Sequence, residues 1–126
     1  MQFRRTIGLA AAVAALTVAV AQPVAARSGD VIARGACDGG SAWKLKLAPR
    51  DGRIEVEFEV DSNRNGQIWT VTLADNTIGF FRGTAKTKAP SGSFTVRTTT
   101  ADLTGTDHVT GTATHAGETC VASASL

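Results

Sequence analysis

From about residue 31 onward, apolar side chains recur at every second position almost to the end of the chain. Trp43, Leu45 and Leu47 alternate with Lys44 and Lys46, and Ile54, Val56, Phe58 and Val60 alternate with Glu55, Glu57 and Glu59. Trp69, Val71 and Leu73 alternate with Thr70 and Thr72; Phe94 and Val96 follow, then Val109, Gly111 and Ala113, then Cys120, Ala122 and Ala124. A period of two marks strands with one face buried, because successive side chains leave a strand on opposite sides. No stretch in this region carries the 3.6-residue period of a helix. Turn residues fall roughly every ten residues, the spacing of a sandwich or barrel. The pattern predicts an all-β protein.

Turn chemistry sets three hairpins. Asp51-Gly52 suits a two-residue loop in which both positions take positive φ. It predicts the pairs Arg50–Arg53, Pro49–Ile54, Leu47–Val56, Leu45–Phe58 and Trp43–Val60, with Lys46 beside Glu57 and Lys44 beside Glu59. One face is then apolar throughout and the other places opposite charges across strands, two independent patterns that agree on one register. Pro49 has no N–H to offer a further strand, so residues 43–49 are expected at a sheet edge. Asp75-Asn76 is expected to join 67–74 to 77–87, with Leu73 beside Ile78 and Val71 beside Phe80. Phe81 then points away from the core, unless a bulge turns it back. Ala116-Gly117 is expected to join 107–115 to 118–126, pairing Ala113 with Cys120, Gly111 with Ala122 and Val109 with Ala124.

About seven strands in roughly 100 residues, with a central tryptophan, point to an immunoglobulin-like antiparallel β-sandwich. The stretches 66–71, 91–96 and 105–107 are similar to the third-, fifth- and sixth-strand signatures of such domains. Trp69 is expected to be the central buried side chain, facing the small surface of Gly111, Ala113, Ala122 and Ala124. Residues 36–126 also resemble the small secreted proteins of unknown function common in actinobacteria. The resemblance rests on Cys37, the Asp51-Gly52 hairpin, Val60-Asp61 leading to Gly66 and Trp69, Pro90 to Phe94, and Gly117 to Cys120. It implies an exported single domain and carries no activity.

The chain before this region has another character. Arg4 and Arg5 precede an uncharged run from Ile7 to Ala21; Gln22-Pro23 breaks it, and Val24-Ala25-Ala26 offers small residues for cleavage. This three-part layout predicts a secretory signal peptide over 1–26, with cleavage after Ala21 as the rival site. The run is short and diluted with alanine, which argues against a membrane anchor. The arginine pair fits general secretion better than the twin-arginine route, whose other favoured positions are missing. Residues 27–35 read as a leader and 36–126 as one domain. The product is expected outside the cell, monomeric and free of the membrane.

Export changes the charge balance and the cysteine chemistry. The sequence holds 13 Lys and Arg against 11 Asp and Glu, and removing Arg4 and Arg5 makes the two equal. A nucleic-acid partner would need a basic surplus on one face, and none is expected. Cys37 and Cys120 lie in an oxidising compartment with no Cys-x-x-Cys pair and no histidine doublet, so they predict a disulfide rather than a metal site. It would tie the entry of the chain to the start of the last strand, with first and last strands side by side rather than bridged across sheets as in antibody domains.

Candidate chemistry is sparse. Asp61, Asn63 and Asn65, with Gly66 and Ile68, match the first half of a calcium loop, but Thr72 stands where such a loop needs glutamate. A polar turn in which Asx side chains cap the main chain accounts for the same residues. His108, His115 and Asp107, with Ser91 or Ser93, invite a hydrolase reading. Adjacent strand residues face opposite ways, so Asp107 cannot orient His108, and no Gly-x-Ser-x-Gly elbow exists; His115 flanks a turn, where a solvated histidine is ordinary. Thr110, Thr112 and Thr114 read as an outer face chosen for β-propensity rather than an ice-binding array. No cofactor motif is present, and no catalysis is expected. The expectation is a non-catalytic module binding an extracellular protein or glycan; the alternative is an inhibitor of extracellular hydrolases working through the loop 86–92.

Overall fold

The computed structural model describes residues 29–126; the signal-peptide expectation for 1–26 lies outside the described residues. Eight strands follow in chain order: β1 (Val31–Ala36), β2 (Ala42–Arg50), β3 (Arg53–Asp61), β4 (Ile68–Asp75), β5 (Ile78–Lys86), β6 (Ser93–Ala101), β7 (His108–His115) and β8 (Glu118–Ser125). They form two four-stranded sheets, ordered β1-β2-β3-β6 and β5-β4-β7-β8. Every neighbouring pair is antiparallel. The all-β sandwich is as the two-residue period requires. No helix among the described residues is long and apolar enough to cross a membrane.

The core is the sum of the inward faces. Leu45, Leu47, Ile54, Val56, Phe58 and Val60 from one sheet meet Trp69, Val71, Leu73, Val109, Ala113 and Ala122 from the other. Trp69 is fully buried, as expected, but its setting differs. β7 lies in the same sheet as β4, so Gly111 and Ala113 sit beside Trp69 rather than across from it. The side chain that uses the space over Gly111 is Phe58, from the opposite sheet. A Cβ at Gly111 would stand 3.2 Å from its ring and 3.0 Å from Leu73, so large and small residues are matched between sheets as close packing demands.

Two hairpins have the registers derived from their turns. Arg50↔Arg53, Leu47↔Val56, Leu45↔Phe58 and Trp43↔Val60 pair across Asp51-Gly52. Ala113↔Cys120, Gly111↔Ala122 and Val109↔Ala124 pair across Ala116-Gly117. Lys44 approaches Glu59 at 3.8 Å, whereas Lys46 turns to Asp30 at 3.8 Å and Glu57 takes Arg97 at 3.0 Å.

The middle hairpin departs from expectation. Its turn residues are Asn76 and Thr77, with φ of 47° and 73°, so Asp75 stays in β4 opposite Ile78. Asparagine tolerates positive φ better than most residues, which moves the turn one place along. Between Leu73 and Ala74 the register then slips by a bulge that leaves Phe80 extra, so Leu73 opposes Phe81 and Val71 opposes Gly83. The bulge explains two consecutive phenylalanines that both pack, half-buried, against the core.

Residues 31–35, expected as leader, form most of an eighth strand. β1 covers β2 from Val31↔Leu47 to Ala36↔Ala42, so β2 is internal and not the expected edge. Pro49 lies past the end of this pairing, where its missing N–H costs nothing. The inward positions of β1 are Val31, Ala33 and Gly35, smaller as a set than the inward residues of β2 and β3 that follow. Gly35 is required because the Trp43 indole lies over it; a Cβ there would be 2.4 Å from the ring. Asp30, its side chain fully buried, anchors the start of β1 to Arg50 at 2.9 Å.

Cys37 and Cys120 are joined, as expected. The bridge does not link side-by-side strands of one sheet. Cys37 leaves β1 at the edge of one sheet and Cys120 lies in β8 at the edge of the other, so the disulfide closes the sandwich between sheets. Asp38 reinforces it, its N–H donating to the Thr119 carbonyl at 3.1 Å and its Oδ1 accepting from the Thr119 N–H at 2.7 Å.

Candidate functional site

Three loops meet at the end of the sandwich where the disulfide lies. They are residues 37–41 after β1, 62–67 after β3, and the turn at 116–117 after β7. Between them runs an open polar groove of about 570 Å³ that continues into a second hollow of about 400 Å³. Both are lined by Gly39, Arg64, Gln67 and Glu118; His115 and Asp38 complete the first.

The main chain of this end is held firmly. Thr87, buried at the end of β5, accepts the Gln67 N–H at its Oγ1 and donates that hydroxyl to the Arg64 carbonyl. Its backbone exchanges hydrogen bonds with Gly66 and Gln67 at 2.7 and 2.8 Å. The Ser62 N–H donates to the Gly92 carbonyl at 3.0 Å. Gly92, with φ of 72°, lets the neighbouring loop touch this backbone, since a Cβ would stand 2.3 Å from the Arg64 nitrogen. Across the groove, both Glu118 oxygens accept from Ser41, one from its N–H and one from its hydroxyl, each at 2.9 Å. The Asp38 and Glu118 carboxylates are therefore engaged by main-chain and hydroxyl donors.

What remains directed into the groove is the exposed side chain of Arg64, the Gln67 amide and the His115 ring. Gln67 accepts the Trp69 indole N–H at its Oε1 at 3.3 Å, which leaves its NH₂ group to donate elsewhere. His115 is not the freely solvated residue expected at a turn. Its ring stacks on Trp69 with centroids 5.4 Å apart, and its Nδ1 lies 2.7 Å from the Ile68 carbonyl. A carbonyl only accepts, so Nδ1 carries a proton and donates it. The sequence carried one sign of this arrangement, the turn residues that put His115 next to Gly117. It carried none that placed His115 over Trp69 and beside Arg64.

The other candidates are dispersed. Asp61 Oδ1 accepts the Asn63 N–H at 2.9 Å, and Asn63 has φ of 56°, an Asx turn at the end of β3. Asp61 is thereby engaged in capping its own loop. A melt in excess calcium is expected to show the same transition as a calcium-free one, in wild type and in Asp61→Ala. A calcium-dependent rise lost in Asp61→Ala would make Asp61, Asn63 and Asn65 ligands. Ser91 Oγ lies 2.7 Å from Ser93 Oγ, each hydroxyl taken up by the other. His108 is at the other end of the sandwich, its Nδ1 2.7 Å from Ser125 Oγ. Asp107 is buried while His108 is exposed, on opposite faces as the strand period requires. The loop 86–92 projects Lys88 to Ser91 into solvent from a base closed by the Lys88↔Ser93 bridge. Comparison with known proteins finds no match to any protein family, curated protein or solved structure.

Proposed function

We propose that this is a secreted, non-catalytic binding module of the immunoglobulin-like type that receives an extracellular partner in the groove of Arg64, Gln67 and His115. One observation carries the reading: three loops converge on a groove whose backbone is fixed by internal hydrogen bonds, while three polar side chains keep free edges facing outward. Pre-ordered loops lose little entropy on binding, so their contacts appear as affinity. The free edges are mostly donors, which suits a protein segment or glycan rich in acceptors such as carboxylates.

The strand order supports the fold type. Apart from β1, seven strands lie as β2-β3-β6 against β5-β4-β7-β8. Trp69 falls on the third of the seven, Phe94 on the fifth, and residues 105–107 lead into the sixth. The inter-sheet disulfide accords with an oxidising, extracellular address.

Immobilised protein is to be compared with Arg64→Ala for capture of culture-medium proteins and of acidic polysaccharides. Arg64→Ala is expected to bind about tenfold or more weaker, the worth of one charge-assisted hydrogen bond, with an unchanged melting temperature. Undiminished capture by Arg64→Ala and by a Gln67→Ala, His115→Ala double variant would overturn the site. The exposed 88–91 turn supports the inhibitor reading, and recovery of one hydrolase, inhibited by the wild type and released by Lys88→Ala, would select it.

A further inference from the structure

At the end opposite the groove, the loop 102–107 crosses from β6 in one sheet to β7 in the other. It is fastened at several points. Asn76 in the β4–β5 turn accepts the His108 N–H at its Oδ1 at 2.9 Å and donates its amide to the Thr106 carbonyl at 3.1 Å. Asp107 exchanges main-chain hydrogen bonds with Leu126 at 2.9 and 3.0 Å, and the Asp102 N–H reaches the Gly52 carbonyl at 3.3 Å. Beneath these fastenings lie Asp75 and Asp107, each only 1% exposed.

Asp107 Oδ1 accepts the Leu103 N–H at 3.1 Å. Neither oxygen of Asp75 has an N–H or hydroxyl donor from the protein, although both are buried. The group Asp75 faces is the Asp107 carboxyl. Two carboxylates hold only acceptors, so this contact becomes a hydrogen bond when one of them carries a proton. Burying two bare anions together would be strongly unfavourable.

We propose that Asp75 and Asp107 form a proton-operated latch that fastens the β6–β7 crossover to the end of β4. In the closed state Asp75 is protonated and donates to an ionised Asp107, which also accepts from Leu103. Raising the pH removes the donated proton, leaves like charges in contact and loosens the crossover. Other charged groups around the latch are Asp102 in the crossover, His108 on β7, and Asp51 and Arg53 flanking the Gly52 turn.

Burial, then the hydrogen bond and charge of Asp107, lift Asp75 from 3.8 to about 6, against a smaller opposing effect of His108. Asp102 is raised by its hydrogen bond to Asp107. Burial pushes Asp107 upward too, but hydrogen bonds from Asp75, Leu103 and Asp102 outweigh it and hold the group below its ordinary value. A raised acid stabilises the fold below its unfolded pKa and loses that contribution as pH climbs through the folded one. Asp75 therefore makes stability fall between about pH 4 and 6, while Asp107 acts the opposite way at lower pH.

The test is a series of melts of the disulfide-bonded protein from about pH 4.5 to 8, with Asp75→Asn alongside and ¹³C NMR titration of the wild-type carboxyl groups. The wild type is expected to melt several degrees lower at pH 8 than at pH 5, with Leu103 and Asp107 amides exchanging faster. Asp75→Asn supplies a permanent donor to Asp107, so it should melt higher than wild type at pH 8 and lose the slope. In wild type the Asp75 carboxyl carbon should titrate near pH 6, a reading that stands even if the variant folds poorly. A titration of Asp75 in the ordinary carboxylate range, or a flat wild-type profile, would overturn the latch. So would calcium abolishing the pH dependence, since the carboxyls would then hold a cation in place of the proton.

Discussion

Trp69→Ala is expected to destabilise the domain by about 3–5 kcal/mol, the usual cost of emptying a fully buried large aromatic site. Trp69 has the largest side chain among the fully buried residues and stands on β4, in the interior of its sheet. Its ring packs against Phe94 of the opposite sheet at 6.2 Å and carries His115 stacked at 5.4 Å. Truncation would open a void between the sheets, and β4 is paired on both sides and cannot shift to fill it. It would also remove the support under His115 and the donor to Gln67, so the groove should loosen along with the core. Urea unfolding of the purified domain measures the loss, and Trp69→Phe should recover part of it.

Fluorescence supplies a check that needs no change at Trp69. With Trp43→Phe as background, Trp69 is the remaining tryptophan, and its emission should resist acrylamide quenching. Strong quenching in a folded protein would contradict the burial from which the stability effect is derived. Trp43→Ala should cost less than Trp69→Ala, because Trp43 is half-buried over Gly35 and not enclosed between the sheets.

The Cys37–Cys120 disulfide ranks second in expected effect. It joins residues 83 apart in sequence, for which the chain-entropy treatment sets an upper figure of roughly 4.5 kcal/mol. Replacing both cysteines by alanine is expected to cost about 2–4 kcal/mol and leave the fold in place. Alanine is the better substitute because Cys120 is fully buried, and a serine hydroxyl there would need a partner. The fold should persist because the sheet edges stay pinned by the reciprocal Asp38–Thr119 hydrogen bonds. Mass spectrometry of freshly purified, unreduced wild type should show two hydrogens fewer than the reduced chain. Two free thiols would refute the bridge and remove the basis of the stability difference.

How far the fold was legible varies from one hairpin to the next, and the reason is physical. Asp51-Gly52 offers a single comfortable way to turn, and charge pairing on the outer face independently demands the same register. Asp75-Asn76-Thr77 offers two ways, one residue apart. Turn propensity alone placed Asp75 in the loop, whereas in the fold Asp75 is the last inward residue of β4. The bulge at Phe80 could be foreseen only as a possibility attached to an awkward Phe81. Its position depends on which side chains fit between the sheets, and that is a property of both sheets together.

The candidate site was less legible than the core. Asp61, His108, Asp107 and the two serines attracted attention because their residue types suggest chemistry, yet the fold scatters them over both ends of the molecule. Arg64 and Gly39 looked like ordinary loop residues, and Gln67 and Glu118 like the polar first residues of strands. They become a groove because β3–β4, β7–β8 and the chain after β1 emerge at one end, and because Thr87 and Gly92 fasten the intervening backbone.

The amino-acid sequence by itself determined seven of the strands, the registers of two hairpins, the cysteine pairing and the burial of Trp69. These rest on short-range rules: a strand turns alternate side chains the same way, a two-residue loop restricts φ, and an indole in an apolar period goes inside. Tertiary structure alone decided that β1 joins the first sheet, since its small inward residues make a strand only against Trp43 and Leu45. It also decided that the disulfide spans the sheets, that the loops close a groove around Arg64, and that Asp75 is sealed against Asp107. Each of these depends on segments distant in sequence becoming neighbours, and periodicity along a chain carries no information about that.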